Sequence, residues 1–321
     1  MAKPIFIVGT PRSGTTWLAN MLGNHSKVAC VRQGVPGERG GTNESAFFSY
    51  VDGKFGNLKN DNNLIQLIET FGASTFFILS GADKSLFYKN RPQTYKDFFR
   101  LLMDHLAEKQ GAEFWLEKTP SHTFHLKEMS GYYQDAKFIA LKRNIIDQIG
   151  SFLKIEEFVT GVKTEDLPFL KKKLRLFVRI FKYYAHTKHL DNFITKSPDK
   201  ILQIDYETLR ESTREVMGKV CDFLGIDFEE PMLEGYIRNT GFQSDDERKR
   251  ILSSGDVTII QVLSFLMKLV PYTVYRLAYL AKQMLEGRSF PYWFFSYNIE
   301  KYGWRNVFGK GVTRVKFDGK A

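Results

Sequence analysis

Residues 4–25 read PIFIVGTPRSGTTWLANMLGNH. Positions 5–8 are β-branched and aromatic and stop at Gly9, while 14–22 carry the spacing of a helix's first turns. A strand that feeds through a glycine-bounded loop into a helix leaves several backbone N–H groups without partners and aims them at one point. That makes an anion cradle. The stretch predicts an α/β protein with a central parallel sheet flanked by helices, holding a ligand where the first strand ends.

The spacing Gly9-x-x-x-x-Gly14 matches the first half of the nucleoside-triphosphate loop. The Lys-[Ser/Thr] that should follow is Thr15-Thr16, and Arg12 is the loop's only cation. A P-loop kinase or NTPase would need a lysine at position 15 and an acidic magnesium ligand at a strand end, so triphosphate chemistry is the weaker reading.

Length and composition set outer limits. The 321 residues fit one domain over 1–321, with 250–321 as a helical or irregular extension packed on it, and 28 Phe supply ample core. A formal charge of +10 points to anionic partners: a nucleotide, a sulfated or phosphorylated acceptor, nucleic acid or a membrane surface. Cys30 and Cys221 provide neither a disulfide framework nor metal-ligand spacing, which suits buried thiols in a reducing compartment. The first strand begins within four residues of the amino terminus and no apolar run of about 18 residues follows, so the expectation is a soluble cytoplasmic protein.

Further along, 27–31 (KVACV) reads as a second strand and 33–43, with four glycines, as an irregular loop closed by Glu44. Residues 51–113 alternate helical spacing with polar turns and carry no assignable chemistry. Another short strand runs into Glu117-Lys118-Thr119-Pro120; Pro120 stops it, and Ser121 is placed to cap the helix that carries His125. Lys118 thus sits where ligands gather in an open α/β sheet, unless it pairs with Glu117 or is a surface charge. His122 and His125, at i,i+3, lack the further ligands a metal would need. The strand 136–141 delivers Arg143, and Ser151 lies two turns up the following helix, so both can face one ligand; Asp147 between them suits a salt bridge or helix stabilisation.

Residues 163–188 are basic and, past Pro168, helical; interleaved aromatics allow a nucleic-acid face, against an amphipathic helix with solvated lysines. A last strand, 200–205, leads through Tyr206 to a helix capped by Gly225. Residues 257–285 form an apolar helix with a narrow polar stripe, bent at Pro271. It is buried, caps an acceptor pocket, pairs with a second copy, or lies on a membrane.

The order P-R-S-G-T-T-W resembles the 5′-phosphosulfate loop of the sulfotransferases, enzymes that use 3′-phosphoadenosine-5′-phosphosulfate (PAPS). E-K-T-P resembles a segment of their bacterial and carbohydrate-type branch, and KRNIIDQIGS resembles their 3′-phosphate motif, with Ile145 where a proline is usual. The resemblance covers about 4–226, thinly between 51 and 113. It implies that Arg12, Ser13, Gly14, Thr15, Thr16 and Trp17 hold the 5′ end of PAPS and Arg143 and Ser151 its 3′-phosphate. It also implies that Arg12 and Lys118 approach the transferring sulfonate and that Glu44 takes the acceptor's proton, with Glu38 and His122 as competitors. No metal is implied, since these side chains would cover the charge that magnesium handles in kinases. The product would be 3′,5′-adenosine bisphosphate (PAP), and the acceptor a hydroxyl or amine on a small molecule, lipid or glycan. Lys310-Gly311 in the tail bears a faint likeness to the loop that closes the PAPS site in cytosolic members.

Overall fold

The apolar runs read from the sequence become five parallel strands in the computed structural model, which describes residues 1–32, 42–234, 245–286, 290 and 292–295. They are β1 (Lys3–Gly9), β2 (Val28–Cys30), β3 (Phe114–Lys118), β4 (Lys137–Lys142) and β5 (Ile201–Asp205), in the order β2-β3-β1-β4-β5. Ile7 lies beside Lys118, Gly9 beside Leu141 and Lys142 beside Asp205, so the carboxyl ends of four strands open on one rim.

Successive side chains of a strand point to opposite faces, and along β1 to β4 both faces are covered, which is why those runs do not alternate; β5 leaves Gln203 and Asp205 exposed. Ile5, Ile7, Leu116, Ile139 and Leu141 face the helices Thr15–Leu22 and Thr213–Leu224. Phe6, Val8, Trp115, Phe138 and Ala140 face a phenylalanine-rich layer that includes Phe47, Phe71, Phe98 and Phe99. Each fully buried ring there contributes about 1.5–3 kcal/mol. Residues 51–113, silent in chemistry, supply this layer through helices such as Asp61–Gly72 and Tyr95–Gln110.

Several local expectations change. Pro120–His125 is a 3-10 turn and the α-helix starts only at Leu126; Ser121 caps nothing and bonds the Ser49 hydroxyl at 2.8 Å. The reason is Thr123, whose hydroxyl is drawn back to the Pro120 carbonyl and to Gly9, tightening the turn. The basic segment is helical after Pro168, as expected, and runs on over Phe169–Lys196. Its cations turn inward to partners: Lys172 and Lys173 hold the buried Asp256, Arg175 and Arg179 reach Glu156, and Lys188 donates to the Lys268 carbonyl. That pattern is an amphipathic structural helix rather than an open phosphate track. At Pro271 the expected bend is a break: Ser254–Leu269 and Tyr272–Glu286 meet at 99°, and both pack on the long helix through Ile260 and Tyr275. No single described helix is long and apolar enough to cross a membrane. The tail motif at 302–314, like most of the loop 33–43, lies outside the described residues.

Candidate active site

The site grows from the end of β1. Gly9 has φ 144°, and a Cβ there would fall 2.3 Å from the Leu141 carbonyl oxygen, so only glycine lets β1 lie against β4 as the chain turns. Gly14, at φ 92°, is the N-cap of Thr15–Leu22, and a Cβ on it would strike the Tyr206 ring at 2.5 Å. Between them Arg12 holds φ 72°, a left-handed conformation unusual for a residue with a side chain. The turn is closed by Ser13, whose N–H and hydroxyl both donate to the Thr10 carbonyl, at 3.1 and 2.6 Å. No side chain caps the helix that follows, so its first amides face the rim with the positive end of its dipole. The buried Thr10 hydroxyl, beside them, has no hydrogen-bond partner.

The second motif closes on the first. Arg143, just past β4, donates from Nη1 to the Arg12 carbonyl at 3.1 Å and lies over the Tyr206 ring at 4.3 Å. Its own carbonyl is held by the Tyr183 hydroxyl, and its buried Nε has no hydrogen-bond partner. From the helix Ile145–Thr160, Ser151 accepts from Arg12 Nε at 3.4 Å, and Gln148 donates to the Pro11 carbonyl at 2.6 Å. Gln148 escaped the sequence reading. Its signal was there, one turn before Ser151 and one after the N-cap Asn144, on the same helical face.

The third part is a buried network under Glu44. Lys118, at the end of β3 and 2% exposed, donates to Glu44 at 2.6 Å rather than pairing with Glu117 or lying on the surface; Glu44 itself is 33% exposed. Glu117 points the other way along the strand, as alternation demands. It accepts from the Ser45 N–H and hydroxyl, the Thr119 hydroxyl and His122 Nδ1. Burial works to raise the Glu117 pKa, but the His122 ring and the two hydroxyls leave it below the ordinary glutamate range. Thr119 accepts the Ala46 N–H and His122 Nε2 the Phe48 N–H, so the segment just after Glu44 is pinned at three points to the end of β3 and the turn that follows it.

The Phe48 contact makes Nε2 an acceptor and leaves the ring hydrogen on Nδ1. With both nitrogens committed and the ring fully buried, His122 has nothing to offer an acceptor hydroxyl. His125 turns away from it to the Tyr279 hydroxyl, at 2.7 Å.

Of the residues singled out in the sequence, Arg12, Ser13, Gly14, Arg143 and Ser151 come together at one end of the rim. Thr15 is buried and Thr16 exposed on the first helical turn. Trp17 packs into the core edge-on to Tyr206, so what it can present to a ligand is its backbone N–H. Glu44 and Lys118 form a separate pair, Asp147 sits in the first turn of its helix, and Glu38 lies outside the described residues.

Residues 4–230 match the family model described as "Sulfotransferase family". The chain belongs to the sulfotransferases. Among solved structures, the sulfotransferase domain from the curacin biosynthetic pathway is 18% identical, with 88% of this chain and 98% of that one covered and a TM-score of 0.50; the likeness is one of fold. The sulfotransferase domain of the Synechococcus PCC 7002 olefin synthase is 19% identical over 88% of this chain and 95% of that one, TM-score 0.47. A mouse sulfotransferase complexed with PAP is 14% identical over 88% and 89%, TM-score 0.44. No curated protein matches this sulfotransferase's sequence.

Proposed function

We propose that this sulfotransferase moves the sulfonate of PAPS to a hydroxyl or amine of a small-molecule, lipid or glycan acceptor. PAPS supplies an activated sulfonate on its 5′-phosphate. In the in-line displacement, the acceptor's O–S or N–S bond forms as the bond from sulfur to the phosphate oxygen breaks, and the acceptor's proton passes to Glu44. The amides of 14–17 with Ser13, Thr15 and Thr16 hold the 5′-phosphate, while Arg143 and Ser151 hold the 3′-phosphate. Arg12 neutralises charge that builds on the bridging oxygen, where fixed cations help most. Lys118 orients Glu44 and faces the sulfonate.

One observation carries this assignment. The guanidinium of Arg143 and the hydroxyl of Ser151 both bond to Arg12, so two motifs far apart in sequence share one small volume. The orphaned Thr10 hydroxyl and Arg143 Nε, with glycines where any Cβ would intrude, suit a close-fitting polyanion. Free, buried Cys30 and Cys221 support a cytoplasmic setting. Residues 257–285 are left for a membrane or a second copy. The test is transfer of labelled sulfonate from PAPS across an acceptor series: activity is expected with at least one hydroxyl or amine class. Turnover of ATP in magnesium without it would favour a kinase instead.

A further inference from the structure

Most helices of the fold bury one face and wet the other. The pair Ser254–Leu269 and Tyr272–Glu286 does not. Its inner face packs on the long helix Phe169–Lys196 through Ile260 and Tyr275. On the opposite side of the first helix, Val262, Phe265, Leu266 and Leu269 recur at helical spacing, each at least half exposed. Across the 99° break, Val274, Leu277 and Met284 are exposed on the second, by 46%, 65% and 85%. The two stripes place seven large apolar side chains in the open on either side of an exposed Pro271, more than scattered surface residues would supply.

Charge selects what covers this face. Residues 257–285 contain Lys268, Arg276 and Lys282, all exposed, and not one Asp or Glu. In a symmetric dimer each copy would set the same three cations against its partner's, and the helix pair offers only Glu286 besides Asp256, which is buried on Lys172 and Lys173. Residues 296–321 suit the face no better, with six Lys or Arg against two acids. A surface of acidic phospholipid meets both requirements: acyl chains accept the apolar stripes while headgroups pair with the flanking cations. Neither helix is long and apolar enough to span alone; only the two together reach that length and composition, and their 99° break favours lying in the interface over crossing it.

We infer that the helix pair 254–286 is a docking surface for membranes rich in anionic phospholipid. It lies on the same long helix whose Tyr183 holds the Arg143 carbonyl and whose Lys188 holds that of Lys268.

The test is co-sedimentation of the full chain with phosphatidylcholine vesicles, with and without phosphatidylserine, in the absence of nucleotide and acceptor. Binding is thus read apart from sulfotransfer. The wild type is expected to bind the serine-lipid vesicles more tightly, and less so as salt rises. Leu277→Glu and Phe265→Glu, both at exposed positions and so checked for an unchanged melting curve, should each weaken binding about tenfold or more. Lys268→Gln should weaken it about fivefold, roughly 1 kcal/mol, on anionic vesicles only. Wild type that stays in solution with both vesicles overturns the inference. So does a wild-type dimer that Leu277→Glu converts to monomer, which would assign the face to a second copy.

Discussion

Arg143 donates to the carbonyl oxygen of Arg12 at 3.1 Å across 131 positions of sequence. The contact ties the tip of the β1 loop to the end of β4 and brings two cationic residues to one place. Like charges so placed repel unless an anion joins them. The division of labour between the two arginines follows from their positions: Arg12 lies in the loop tip, and Arg143 is braced behind it on Tyr206.

Arg143→Ala should therefore weaken PAP binding by about 10- to 100-fold, the range of about 1.5–3 kcal/mol for hydrogen bonds to a charged group. Arg143→Lys should recover little, since an ammonium neither forks nor stacks as guanidinium does. Arg12→Ala should instead lower turnover about 10²–10³-fold with a much smaller loss of PAP affinity. Calorimetric titration beside steady-state kinetics separates the two, and an interchange of these effects would refute the assigned roles.

Glu44→Gln should lower turnover by about 10²–10⁴-fold while PAP affinity stays as it was, because the side chain sits on Lys118 and not on the β1 loop. Single-turnover kinetics reads the chemical step directly. An active Glu44→Gln enzyme would pass the role to Glu38, since His122 is bonded at both nitrogens inside the core.

Stability should fall as the solution is acidified. Burial depresses the pKa of His125 to about 3 and of His186 to about 4, against 6.5 as the ordinary value. Below about pH 6.5 the unfolded chain takes up protons that the folded chain refuses, so stability is full above that pH. It declines towards about pH 4 for His186 and about pH 3 for His125, by up to ~1.4 kcal/mol per pH unit for each ring. Urea unfolding at pH 7 and pH 5 should show the decline, and His186→Gln should make it shallower. An equal slope in that variant would mean the ring is protonated in the fold.

Gly9→Ala should destabilise the fold by about 3 kcal/mol or more, since its Cβ would meet backbone of β4, which cannot swing aside like a side chain. Thermal unfolding measures it. A variant that melts with the wild type would show that β1 and β4 separate more easily than their register implies.

The strands were legible in the sequence as short apolar runs, unbroken by exposed residues in β1 to β4, where both faces are buried, and interrupted by the exposed Gln203 in β5. The residues proposed to hold phosphate drew notice for a related reason: positions 12–16 and Arg143 follow those ends closely. What could not be read is pairing across distance. Lys118 finds Glu44 74 positions away, and nothing local distinguishes that partner from the adjacent Glu117. Thr123 looked like an unremarkable helix residue, yet its hydroxyl bonds the Gly9 carbonyl and accepts the Gly9 N–H, 114 positions away. The helix pair 254–286 was ambiguous because an apolar face looks the same in sequence whether it meets protein or lipid.

The central claim is that one bisphosphorylated nucleotide is gripped at both ends, and a crystal structure with PAP bound tests it most directly. The prediction is a 5′-phosphate on the amides of 14–17 and a 3′-phosphate within hydrogen-bond distance of Arg143 and Ser151. A nucleotide bound elsewhere, or held at the loop with its 3′-phosphate away from Arg143, would contradict it.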